Sequence, residues 1–330
     1  MQPSDATPAT TAAPTAADHP EWDVVIIGGG SAGLSAALML GRSRRHVLVV
    51  DDARPRNRFA GHMHGVLGRD HTSPLDLLAD GRRDLERYEG VAFEASAVEH
   101  LERAGAVFEI ALASGRRTTA RAVLIATGLH DELPDIPGLA EHWGDGVVLC
   151  PYCDGWEARD SKVAVLASGP MNVHQAQLMR QLTDDVTYLV NGSELPDAAR
   201  AGLAARGIAV EERRVAEVVA DEHGRLRGIR FDDGTDAPVD AIFAAPVPRP
   251  KDGALRALGA RFEDRDGVEW VVVDPMGRTS VPGLWAAGNV TDGRSSVPFA
   301  MSAGSMAGAA INADLVEAEV RAAVAASAGR

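Results

Sequence analysis

The two cysteines of this 330-residue chain stand together in CPYCDGWE, residues 150–157. Cys150 and Cys153, followed at once by Asp154, admit three chemistries: a redox couple, half a metal site, or a structural disulfide. Zinc needs four ligands, and no second pair at metal-ligand spacing supplies them, so no metal is expected. A C-x-x-C pair lowers a thiol pKa, and the thiolate is the reactive form. Exchange runs through a mixed disulfide, so one sulfur must be reachable and the other must resolve it. Composition bears on the choice. Lys and Arg number 33 against 47 Asp and Glu, a formal net charge of -14, which argues against nucleic acid or an anionic membrane as partner. Residues 1–20 are rich in Ala, Thr and Pro, without a basic cluster or apolar run. They read as a disordered tail rather than a signal peptide. Nothing approaches the roughly 20 apolar residues of a membrane helix. The expected location is cytoplasmic, where reducing conditions disfavour a structural disulfide. A redox pair is therefore expected.

The elements that must position this pair begin at residues 23–50, DVVIIGGGSAGLSAALMLGRSRRHVLVV. A short β-branched run reads as a buried parallel strand. Gly28, Gly30 and Gly33 follow in G-x-G-x-x-G spacing, then a helical stretch and a second apolar strand ending at Asp51. Gly28 permits the tight turn, Gly30 lets the backbone approach a pyrophosphate, and Gly33 lets helix and sheet pack closely. The helix start, with Ser31 and Ala32, offers free N–H groups to the anion, and Asp51 is placed to accept from a ribose. Two later segments complete the pattern: VLIATG at 123–128, with Thr127 and Gly128, and RTSVPGLWAAGNVTDG at 278–293, with Gly288 and Asn289.

The order of fingerprint, ATG, C-x-x-C-D, second βαβ unit and P-G-L-W-A-A-G resembles the low-molecular-weight thioredoxin reductases over roughly residues 21–315. The resemblance implies an α/β fold of two Rossmann-like dinucleotide-binding domains. Expected boundaries are an FAD domain at 21–132, an NAD(P)-binding-like domain with the thiol pair at 133–248, and the rest of the FAD domain at 249–330. It implies FAD as cofactor and a homodimer. Asn289 stands where the family places an acid on the ribityl chain; its amide can still bond a hydroxyl. Cys153 would face the flavin as the charge-transfer thiolate, Cys150 would meet substrate, and Asp154 would manage their protons. In the loop at 54–71, Asn57 is expected as a flavin contact and His64 as a proton acceptor. Ser296 and the backbone of Val297 are expected at the flavin, where a helix start over 294–311 favours the reduced anion. Phe299 and Met301 are candidates to wall an apolar substrate pocket. Residues 312–330 read as a polar, fraying helix, and 196–240 as strands and a hairpin.

The second nucleotide turn, KVAVLASGPMNVHQAQLMR at 162–180, lacks its glycines. Ala167 and Ser168 take the first two places, Gly169 remains, and Asn172 replaces a small third residue, which should oppose close helix–strand packing. After the next strand the family's arginines for a 2′-phosphate are replaced by Val190, Asn191 and Gly192, leaving no fixed positive charge. NAD(P)H binding is therefore not expected to work. A branch of the family that lost its NADPH site oxidises small-molecule dithiols to disulfides and passes the electrons through FAD to oxygen, in pathways to sulfur-containing natural products. Gly169 to Ala176 and GNVTD at 288–292 resemble that branch; its usual C-x-x-C-H-G stands here as C-x-x-C-D-G. The reading is a dithiol oxidase. An NAD(P)H-dependent reductase acting on a thioredoxin-like protein, and a flavin-binding regulator with idle thiols, are the alternatives.

Overall fold

The computed structural model describes residues 21–169 and 171–328; the tail read at 1–20 lies outside the described residues. The chain begins with β1 (Trp22–Ile27), α1 (Ser31–Arg42), β2 (Val47–Asp51), α2 (Pro74–Leu85) and β3 (Val91–Ala95). The three strands run parallel, with β1 between β2 and a later strand, β6 (Arg117–Ile125). β4 (Val98–Ala104), β5 (Val107–Leu112) and β6 (Arg117–Ile125) form an antiparallel meander that joins the same sheet. Val24 and Ile26 point into one core with Leu40 and Trp285, while Val25 and Ile27 point into another with Phe108 and Ile110. A strand covered on both faces must be apolar at every position, which is why the opening run does not alternate.

The chain then passes through β7 (Leu129–Glu132) into a second unit: β8 (Val147–Val148), α3 (Pro151–Asp154), β9 (Val163–Leu166), α4 (Met171–Met179), β10 (Val186–Leu189), α5 (Asp197–Ala205), β11 (Ala209–Glu211), β12 (Val215–Ala220), β13 (Leu226–Phe231), β14 (Asp236–Pro238) and β15 (Ala241–Ala244). Its parallel sheet has the order β11-β10-β9-β15-β8, with β12-β13-β14 as a separate antiparallel sheet. β16 (Val247–Pro250) returns beside β7, antiparallel to it. The thiol pair follows directly on β8, an edge strand of this second sheet. The fold is thus α/β with two Rossmann-like units. Residues 197–205, within the stretch read as strands, are helical because Ala, Leu and Arg are strong helix formers.

The last segment carries α6 (Gly253–Ala257), β17 (Phe262–Arg265), β18 (Val268–Val271), β19 (Leu284–Ala286) and α7 (Val297–Ala328). β19 pairs with the C-terminal half of β6, completing the first sheet. The two helices expected at 294–311 and 312–330 are one 32-residue helix, since no Pro or Gly breaks the Ala-rich run after Gly308. α7 lies against α1 through small residues. A Cβ on Gly304 would run into the Ala32 carbonyl, and one on Gly308 would stand 2.7 Å from the Ala36 carbonyl. That seam fixes both helix starts relative to each other. No helix among the described residues is long and apolar enough to cross a membrane.

Gly304→Val should destabilise the seam by about 1–3 kcal/mol and lower both the unfolding midpoint and the bound flavin. Unchanged thermal unfolding and flavin content would show that the seam tolerates side chains.

Candidate active site

Cys150 is the N-cap of α3 in extended backbone, and the N–H groups of Cys153 and Asp154 donate to its carbonyl at 2.9 and 3.0 Å. Pro151 occupies the first helical position, where its missing N–H is harmless. This single turn brings both sulfurs onto one side, and both cysteines are half-buried free thiols. The Cys150 thiol is lowered to about 7, first by the hydrogen bond from Cys153 and also by the N–H groups of Tyr152 and Cys153. The Cys153 thiol is raised, first because it donates to Cys150 and then by burial. In this arrangement Cys150 therefore carries the first negative charge, which suits a sulfur that exchanges with an outside thiol. Burial raises Asp154 to about 6, helped by Glu157 and opposed by His64. A carboxyl poised there can exchange protons near neutral pH.

The loop after β2 reaches across to this turn. His64 Nε2 lies 3.5 Å from Glu157 and Nδ1 lies 3.7 Å from Asp70. The structure thus brings His64, Asp154 and the thiol pair together. Sequence spacing did not reveal Arg56. It makes two 2.7 Å bonds to Asp131 of β7 and a 2.8 Å bond to the Gly293 carbonyl. It ties the loop to the strand between the units and to the loop after β19, and its charge opposes the rise at Cys153. Its neighbour Asn57 is half-buried in the same turn. The nitrogens of His64 and His71 and a Glu157 oxygen lie within 4.8 Å of one another, and His71 stacks on His62 at 4.1 Å. Tyr152 and Trp156 are largely exposed beside the cysteines, and Phe299 is exposed rather than packed in a core.

The first glycine turn fits a dinucleotide. Gly28 has φ +109°, a conformation that other residues rarely adopt, and a Cβ on Gly33 would strike the Gly28 carbonyl. A Cβ on Gly30 would meet nothing within 4 Å. α1 has no side-chain cap and no acid in its first turn, so its leading N–H groups, at Ser31 and Ala32, face an open space that suits a pyrophosphate. Asp51 accepts from Gly29 N–H at 3.0 Å and pairs with Arg82 of α2, a partner not read from the sequence. A ribose hydroxyl would share the carboxylate with that guanidinium. Gly128 accepts from Lys251 N–H at 3.0 Å, and the Thr127 hydroxyl donates to the Lys251 carbonyl at 2.7 Å. A Cβ on Gly288 would stand 2.9 Å from Ala32. The Asn289 amide donates to the Asp292 and Ser295 carbonyls at 3.0 and 2.9 Å, which leaves its oxygen facing away from those bonds as the acceptor. Ser296 and Val297 start α7, and the Ser296 carbonyl accepts from Ala300 N–H at 2.9 Å.

The second turn is built differently. Asn172 is completely buried, so it does not hold the helix off the strand as expected. Its Oδ1 accepts from Ser168 N–H at 2.9 Å and Gly169 N–H at 2.8 Å. Ala167 N–H donates to Leu189 at 2.9 Å, and Pro170 has no N–H. The Ala167 bond has its counterpart in the first turn, where Gly28 N–H donates to Val50 at 2.8 Å; what sets the second turn apart is that the Asn172 carboxamide takes the Ser168 and Gly169 N–H groups. The expectation of no positive charge after β10 needs correction: the Arg214 guanidinium lies where a Cβ on Gly192 would be. It comes from the start of β12, outside the positions compared in sequence.

A family profile described as pyridine nucleotide-disulphide oxidoreductase matches residues 22–307. Thioredoxin reductase tcpT from Claviceps purpurea is 34% identical over 87% of this chain and 92% of its own length. Thioredoxin reductase aclD from Aspergillus oryzae is 31% identical over 90% and 97%. The crystal structure of HlmI is 42% identical, with a TM-score of 0.88 over 93% of this chain and 96% of that one. An oxidoreductase from Agrobacterium tumefaciens is 38% identical, with a TM-score of 0.84 over 89% and 98%.

Alkylation of the reduced protein should rise through about pH 7, the Cys150 value. Asp154 is ionised there and opposes a second negative charge, so Asp154→Asn should move that midpoint down; an upward move would contradict the arrangement. Gly30→Glu should give a folded protein without flavin, because the open space admits the side chain but its charge repels a pyrophosphate. Full flavin content would remove the cradle assignment.

Proposed function

We propose, for a chain that belongs to the pyridine nucleotide-disulphide oxidoreductase family and is an FAD-dependent disulfide oxidoreductase, that its thiol pair oxidises a small-molecule dithiol to an intramolecular disulfide, with oxygen as the final acceptor. The observation that carries this reading is the self-capped second turn. Asn172 occupies the N–H groups of Ser168 and Gly169, so a nicotinamide dinucleotide would have to displace a buried carboxamide. Electrons then enter at the thiol pair instead. The pathway context implied by the resemblance, formation of sulfur-containing natural products, belongs to the same proposal.

In this reading a substrate thiolate attacks Cys150 Sγ of the Cys150–Cys153 disulfide. The S–S bond breaks and its electron pair leaves on Cys153. The second substrate thiolate attacks the substrate sulfur of the mixed disulfide, closing the substrate disulfide and releasing Cys150. Asp154 and His64 take up the two substrate protons in turn. Exposed Tyr152 and Trp156 offer apolar surface beside Cys150. FAD, when bound, supplies the two-electron carrier between the reduced pair and oxygen, which leaves with two protons as hydrogen peroxide. Gly28, Gly30 and the start of α1 would hold its pyrophosphate.

A second reading, an NAD(P)H-dependent reductase of thioredoxin type, is favoured by Arg214 at Gly192, the position where a 2′-phosphate would need a cation. Oxygen uptake with a small dithiol separates the two. The oxidase should consume one oxygen and release one peroxide per disulfide formed, and Cys150→Ser and Cys153→Ser should each abolish turnover with FAD still bound. Turnover that needs NADPH, with no oxygen uptake on the dithiol alone, would establish the reductase.

A further inference from the structure

Asn172 has a second set of bonds that lead away from the turn. Its Nδ2 donates to Gln175 Oε1 at 2.6 Å, and Gln175 Nε2 donates to the Leu149 carbonyl at 2.6 Å. Asn172 is 0% exposed and Gln175 6%. Leu149 immediately precedes Cys150. One continuous chain of buried amides therefore runs from the backbone of the nucleotide turn, through one face of α4, to the peptide that leads into the redox turn. Each carboxamide uses its oxygen as acceptor and its nitrogen as donor, so every bond fixes the orientation of the next. Such a chain holds its geometry more firmly than separate bonds would.

The Leu149 end has little else to hold it. β8 is only two residues long, and the Cys150 carbonyl is spent inside the turn on Cys153 and Asp154. The Gln175 bond is thus a direct tie between α4 and the start of the redox turn. Cys150 stands in extended backbone, φ -112° and ψ 114°, at the head of the turn, where its sulfur accepts from the Cys153 thiol. We propose that Asn172 and Gln175 are positioning residues for Cys150: the second glycine-poor turn serves as the anchor of a buried amide brace that holds the redox turn in the geometry of thiol exchange.

The inference rests on the pair being the redox centre, as proposed above, and is independent of the direction of electron flow. Removing the brace lets the Leu149 peptide tilt and weakens the bond from Cys153 that lowers the Cys150 thiol. The charged groups facing the pair are Asp154 and Glu157 from its own segment and Arg56 and His64 from the loop after β2; Gln175→Met changes none of them and keeps nearly the same volume. A replacement that only loosened the second unit would lower the unfolding temperature and leave the thiol profile in place.

The experiment is the pH profile of iodoacetamide alkylation on the reduced flavoprotein, with mass spectrometry locating the label on Cys150. Gln175→Met should move the midpoint upward by roughly one pH unit, about a fivefold loss of thiolate at pH 7, and slow the dithiol step with little change in KM, because Cys150 then leaves the mixed disulfide as a more basic thiolate. Gln175→Ala, which admits water to the Leu149 carbonyl, should give a smaller shift in the same direction and serves if the methionine variant does not fold. A folded variant with the wild-type midpoint overturns the brace. A wild-type midpoint at the ordinary thiol value would instead strike at the redox pair itself, so the two failures are distinguishable.

Discussion

A buried backbone N–H without an acceptor costs about 1–3 kcal/mol, and every turn from strand to helix in a dinucleotide-binding unit exposes several of them at once. This chain meets that constraint in two opposite ways. After β1 the leading N–H groups of α1 are left uncapped beside open space at Gly30, an arrangement that is complete only with an anion in place. After β9 two N–H groups of the turn that leads into α4, those of Ser168 and Gly169, are closed by the Asn172 carboxamide. The same structural unit is a cofactor cradle in one half and a self-contained support in the other.

The consequences extend to the chemistry. A turn that binds a nucleotide must open and close its donors; a turn that caps itself can be used as a fixed point. Gln175 carries that fixed point to Leu149, and Arg56 fastens the loop facing Cys153 to Asp131 and Gly293. The thiol pair is thus held from both units. The acid–base groups are tuned in opposite ways: burial raises Asp154 to about 6, and the hydrogen bond from Cys153 lowers Cys150 to about 7, so both groups titrate near neutrality.

What the sequence made legible was local. C-x-x-C-D and the first glycine turn are contiguous, and their spacing alone states the geometry they need. The apolar runs of β1 and β2 announced a sheet buried on both faces. The single helix α7 is hidden in the sequence because composition changes at residue 312 while nothing in the backbone breaks there. Arg56–Asp131, Arg82–Asp51, Arg214 at Gly192 and His64–Glu157 join segments far apart in the chain, and no periodicity carries such information. Asn172 was the recoverable case. A polar side chain at the second residue of a helix can reach back to N–H groups of the preceding turn and cap them, and its substitution for a small residue marks the turn as closed rather than merely damaged.

In the proposed oxidase, reducing equivalents would enter at the thiol pair, because the Asn172 side chain caps the second turn. Anaerobic mixing tests it directly: the oxidised yellow flavoprotein is combined in a stopped-flow instrument with NADPH, with NADH, and with a small dithiol, and the flavin band is followed. The account predicts rapid bleaching by the dithiol, and with either nicotinamide only a change far slower than turnover. Bleaching by NADPH at a rate that supports turnover would contradict it.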